Sequence, residues 1–217
     1  MVRIIRNKLS IKKQSSTSDE DFKNQIDEVY KFCRGKDKNG LMKEMLFQKI
    51  VPMPNSLNSE TKEGDNWLLM HWGTREQAYN ACWISDNEII FDTFWNPAEP
   101  IAYALMKKFP KVNFSLKYAS DKTGTKAGEI YSINGAIYSV KIADFSRKAY
   151  EIAFELRPHL AALYTLSMKE NTYEYDTSDI RAAIEQNGYY KEDDGTMLIG
   201  TDDKKKPLFN DIDDLPF

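Results

Sequence analysis

The stretch VRIIRNKLSIK, Val2 to Lys12, alternates apolar and polar residues with a period of two. Ile5, Leu9 and Ile11 fall on one face, and Arg6, Lys8, Ser10 and Lys12 on the other, which predicts a strand with one buried and one polar side. Ser18 follows, with Asp21 three residues later as a capping-box partner, and opens a helix. Its apolar stripe is Phe22, Ile26, Val29, Tyr30 and Cys33, and Gly35 lies just past its end.

Outward from this pair, LFQKIVPMP predicts a short strand stopped by Pro52 and Pro54, with a polar loop to about Asp65. Thr74, after a turn at Gly73, is placed to cap a short helix with Gln77 as its reciprocal partner. EIIFDTFW predicts a third strand. Asn96 and Pro97 then suit the start of a second helix running to about Lys108. In FPKVNFSLKYA a fourth strand puts Val112, Phe114, Leu116 and Tyr118 on one face. The pieces EIYSI and AIYSVKI join through Asn134-Gly135, a hairpin signal. A long helix from about Asp144 to Lys169, kinked near Pro158, and a shorter one over about 178–187 complete the body.

Strand, helix, strand, strand, helix, strand is the split βαβ order. The expected fold is therefore α+β, a ferredoxin-like antiparallel sheet with an added hairpin and C-terminal helices, then a disordered acidic tail. The division is drawn as residues 1–190 for the globular body and 191–217 for a flexible tail.

The 217 residues, 41% of them hydrophobic and 29% charged, suffice for one ordinary core. No run reaches bilayer-spanning length, and MVRIIRNKLSIKK lacks the apolar stretch of a signal peptide. With only Cys33 and Cys82, a disulfide framework is not expected, and the simple reading is a reducing cytoplasm. The net charge of −3 is uneven. Residues 191–217 carry −4 and the remainder +1, while the first thirteen residues hold Arg3, Arg6, Lys8, Lys12 and Lys13 with no acid.

The pieces NKLSI (7–11), FQKIVPMP (47–54), HWGTREQAYNA (71–81) and FDTFWNPAEPI (91–101), with Phe109-Pro110 beyond them, resemble the YubB-type ferredoxin-like family of phage and plasmid proteins over roughly 7–120. That resemblance implies a compact α+β domain encoded on mobile elements and supplies no catalytic set. The last residues, Asp211, Ile212, Asp213, Asp214, Leu215, Pro216 and Phe217, resemble the C-terminal tip of bacterial single-stranded DNA-binding protein, SSB. In such tips the Phe ring enters an apolar pocket on a partner, and a basic residue takes the α-carboxylate. The aspartates lie along a basic ridge. SSB proteins set this tip on an OB-fold, which the opening of this chain does not match.

Single-stranded nucleic acid is held by basic grooves with aromatic platforms, and RNA-recognition domains of this topology use the sheet face free of helices. The expected contacts are Arg3, Arg6, Lys8, Lys12, Lys13 and Lys117, with Trp72, Phe94 and Trp95 as stacking platforms. Tyr118 is weaker because it shares a face with Phe114. Aromatics in short strands also pack inward, so each platform has a core alternative. His71 and His159 have no ligand-spaced neighbours, and no Walker loop, dinucleotide fingerprint or nucleophile elbow is present. No metal, cofactor or catalytic residue is expected.

The leading expectation is a non-enzymatic single-stranded DNA-binding protein of a phage or mobile element that recruits host replication, recombination or repair proteins through its tip. The alternative is an interaction module that uses the tip to redirect or inhibit those proteins without touching DNA. An enzyme brought to replication forks by its tail is a third class. Homo-oligomerisation is compatible with all three.

Overall fold

The computed structural model describes residues 3–176 and, further on, three short strands. The chain divides into two compact units, 1–160 and 161–217; composition alone places the division at 190.

In the first unit the order is β1 (Ile4–Lys12), α1 (Asp19–Cys33), the two-residue strands β2 (Gly35–Lys36) and β3 (Met42–Lys43), and the single turn α2 (Phe47–Ile50). Next come α3 (Lys62–Trp72), β4 (Tyr79–Ser85), β5 (Glu88–Phe94), α4 (Glu99–Lys108), β6 (Asn113–Ser120), β7 (Gly128–Ile133), β8 (Ala136–Lys141) and α5 (Arg147–Leu156). A six-stranded sheet runs in the order β4-β5-β1-β6-β7-β8, antiparallel at every pairing. Taking β1, α1, β4, β5, α4 and β6 alone gives the split βαβ arrangement, with β1 central. The β7–β8 hairpin extends it, turning at Asn134 and Gly135 with φ of 50° and 84°, as a primed turn requires.

The alternation read in β1 holds. Ile5, Leu9 and Ile11 are buried in one core with Phe91, Phe114, Leu116 and, from the helices, Val29, Cys33, Leu68, Ile101 and Leu105. Burial pushes the Cys33 thiol up to about 12, so it stays a neutral core group. The Ser18 hydroxyl accepts from the Asp21 amide and caps α1.

Several local expectations are corrected. Residues 47–50 form a helical turn where a strand was expected, because the Gln77 side-chain oxygen, thirty residues away, accepts from the Phe47 amide at 2.7 Å and the Gln48 amide at 3.4 Å. The Trp72 indole donates to the Val51 carbonyl and fixes the exit. The loop expected to run to about Asp65 ends a few residues earlier, because Thr61 caps α3, which begins at Lys62. Thr74 caps no helix; it donates to the Phe94 carbonyl, and the segment after it becomes β4, the true second strand of the split motif. Helix α4 begins at Glu99, not at Asn96, because the buried Asn7 side chain accepts from the Ala98 amide. Lastly, the long helix stops at Leu156: Pro158 cannot donate to its preceding turn and begins a short 3₁₀ turn, Pro158–Leu163.

In the second unit, β9 (Tyr164–Ser167) and β10 (Thr172–Tyr175) form a hairpin. The strands β11 (Tyr189–Lys191), β12 (Met197–Ile199) and β13 (Lys206–Pro207) form an antiparallel sheet. The helix expected over 178–187 and the tip Asp211–Phe217 lie outside the described residues. Among the described residues, no helix is long and apolar enough to cross a membrane, and no group of His, Cys, Asp or Glu suits a metal ion.

Candidate nucleic-acid interface

Arg6, Lys8 and Lys117 share the sheet face opposite α1 and α4, as the alternation predicted, but α5 packs on that face. Ala149, Ile152, Ala153 and Leu156 of α5 form a second, smaller core with Ala119 and Ala127. Lys8 and Lys117 stand directly opposite each other on β1 and β6, a repulsive arrangement unless an anion joins them. Glu155 is that anion, its two oxygens 3.4 Å from the Lys8 Nζ and 2.6 Å from the Lys117 Nζ. Lys8 also meets Glu88, and Arg6 donates twice to the buried Asp92, at 2.9 and 3.0 Å. The buried Arg157 caps the β6 end by donating to the Ala119 and Ser120 carbonyls.

Burial alone would push the Glu155 carboxyl up; its bonds to Lys117 and Lys8 outweigh this and hold it below its ordinary value. A folded-state value below the unfolded one contributes stability above the ordinary carboxylate range, lost as pH falls through the folded value. Acidification below about pH 4.5 is therefore expected to lower the melting temperature of wild type more steeply than that of Glu155→Gln. Thermal melts at stepped pH check this, and parallel acid limbs would contradict it.

Of the other expected contacts, Trp72 is a core residue. Phe94 is half-buried and stacks on Tyr79 at 4.5 Å between ring centroids. Lys12 and Lys13 are exposed where β1 runs into the α1 cap, and Lys13 pairs with Asp19. Arg3 and Trp95 lie at the other end of the sheet, joined by the Trp95 amide donating to the Arg3 carbonyl.

That end gathers more than the sequence showed. Six non-glycine residues have left-handed φ among the described residues; three are asparagines, which tolerate it. The other three are Trp95 (φ 68°), Lys126 (φ 47°) and Phe145 (φ 59°), and all three meet here. Each costs about 1–3 kcal/mol and persists only where its surroundings hold it. The Lys126 Nζ donates to the Trp95 carbonyl, and the Lys126 amide donates to Asp144. The Phe145 amide donates to the Gly124 carbonyl. Gly124 is itself left-handed and lies so close to the Tyr150 ring that a Cβ would come within 2.8 Å of it.

Trp95 is 44% and Phe145 50% exposed, and the Lys122 Nζ lies 5.8 Å from the Phe145 centroid. Asp121 accepts from the Ile4 and Lys122 amides, and Asp144 from the Lys126 amide, so both nearby acids are engaged with backbone. Among the described residues, no carboxylate lies within 4 Å of the charged groups of Arg3, Lys122, Lys126 or Lys141. A cleft of about 450 Å³ opens beside Lys126, walled by Pro97, Pro100 and Ile142, with Glu99, Tyr118 and Lys141 also lining it.

Residues 71–177 match the family described as the ferredoxin-like domain in Api92-like protein. The fold is ferredoxin-like. The matched span runs from within α3 to just past β10, and so contains Trp95, Lys122, Lys126 and Phe145, while Arg3 precedes it. No curated protein and no solved structure matches the chain. On this ferredoxin-like sheet, sequence reasoning reached Arg3 and Trp95 but missed Lys122, Lys126 and Phe145. The legible signal was the loop SDKTGTKAG, Ser120 to Gly128, with lysines spaced between turn-forming residues.

Proposed function

We propose that this chain is a single-stranded DNA-binding protein of a phage or mobile element, working in the cytoplasm. It holds the strand at the sheet end around Trp95 and recruits host genome-maintenance proteins through residues 211–217. One observation carries the DNA half: Trp95 is 44% exposed, Lys126 is bonded to its carbonyl and Lys122 stands on the same loop, and neither lysine has a carboxylate partner among the described residues. Bases stack on an exposed ring whatever their sequence, and lysines neutralise the phosphates beside it. The recruitment half rests on the likeness of Asp213-Asp214-Leu215-Pro216-Phe217 to the SSB tip.

A second reading, the interaction module that does not touch DNA, is favoured by α5 lying over the sheet face with Glu155 between Lys8 and Lys117. Trp95→Gly separates the two, because glycine keeps the left-handed backbone at no steric cost. Under the DNA reading the variant loses about 1–3 kcal/mol of oligo-dT affinity while its melting temperature is kept. Unchanged oligo-dT affinity would sink the sheet-end contact, and a large loss of stability instead would make Trp95 a core residue.

A further inference from the structure

We infer that the cleft beside Trp95 is a pocket for a nucleobase bearing an exocyclic amino group; the inference rests on the DNA-binding reading and adds base preference to it. The cleft volume, about 450 Å³, falls in the range of small-molecule sites. Its walls offer flat apolar surfaces from Pro97, Pro100 and Ile142, and Lys126 and Lys141 supply positive charge for a phosphate. Because Lys126 also holds the Trp95 carbonyl, a strand stacked on Trp95 brings its neighbouring base to the cleft.

Glu99 supplies the selectivity. The buried Tyr118 hydroxyl donates to its Oε1 at 2.5 Å, and burial followed by this bond to Glu99 pushes the phenol well above its usual range. Tyr118 therefore stays a donor and fixes the carboxylate in one orientation. Among the described residues no other hydrogen bond to the Glu99 carboxylate forms, and Glu99 lines the cleft. A carboxylate only accepts. The amino group of cytosine satisfies it, as in direct readout of that base by Glu, whereas the O4 carbonyl of thymine places oxygen against oxygen.

The test compares oligo-dC with oligo-dT of equal length by fluorescence anisotropy at one salt concentration, on the full chain and on Glu99→Gln, with melting curves confirming the fold. Wild type is expected to prefer dC by about fivefold, the worth of one good hydrogen bond. In Glu99→Gln, whose amide both donates and accepts, dC binding weakens, dT binding strengthens and the ratio approaches one. Equal wild-type binding of the two, or a preference that survives in Glu99→Gln, overturns the pocket. If neither oligonucleotide binds, the DNA-binding reading fails, and the pocket is judged by calorimetry with dCMP and dTMP. Binding of dCMP that Glu99→Gln abolishes sustains it, and absence of dCMP binding overturns it.

Discussion

Asp92→Ala is expected to cost the first unit about 3 kcal/mol or more, because it breaks a buried ion pair from one side. Asp92 is 2% exposed and accepts two bonds from Arg6 and one from Asn80. Its removal leaves a guanidinium at β1 and an amide at β4 without their acceptor. The urea midpoint should fall with the slope unchanged, the mark of a stability effect rather than a change in the surface exposed. Adding Arg6→Met should recover part of the loss, since the orphaned charge goes with it. A loss within about 0.5 kcal/mol, the range of ordinary surface substitutions, would mean that Arg6 is solvated, as its place on the polar side of β1 implies when the sequence is read alone.

Phe217→Ala should weaken capture of proteins that take SSB tips by about 100-fold, the scale of an anchor residue in a small interface. Adding one residue after Phe217 should do the same, since it moves the α-carboxylate away from the ring. The check is surface plasmon resonance with the full chain and both variants, with a synthetic peptide of residues 208–217 as competitor. A one-residue extension that binds with unchanged affinity would remove the tip reading, whatever the body does.

Much of the sheet is written in short-range pattern. Alternation in β1 and β6, the Ser18 cap and the Asn134-Gly135 turn each depend on residues within a few positions, so they could be read directly. The failures have long-range causes. The run 47–54 is too short for periodicity to separate strand from helix, and Gln77 decides it from thirty positions away. The helix in α5 was legible, though not its end, and nothing in its sequence says which face of the sheet it covers. Arg6 and Lys8 of β1 thus read as part of a free row, yet they meet Asp92, Glu88 and Glu155. At the sheet end, Trp95 and Arg3 were visible as residue types. Lys126 and Phe145 were missed: the loop from Ser120 to Gly128 shows its lysines, but nothing local says that it meets Trp95 or that Phe145 joins it at Gly124.

The most direct test of the account is the salt dependence of oligo-dT binding by the full chain, by Lys122→Ala with Lys126→Ala, and by Lys117→Gln. Removing one lysine–phosphate pairing should reduce the slope of log affinity against log salt by about 0.7 for a single strand. The double variant should therefore flatten the slope by about 1.4, while Lys117→Gln, already paired under α5, leaves it as in wild type. Oligo-dT binding that is absent, or whose salt dependence follows Lys117 and ignores Lys122 and Lys126, would contradict the placement of the DNA contact at the sheet end.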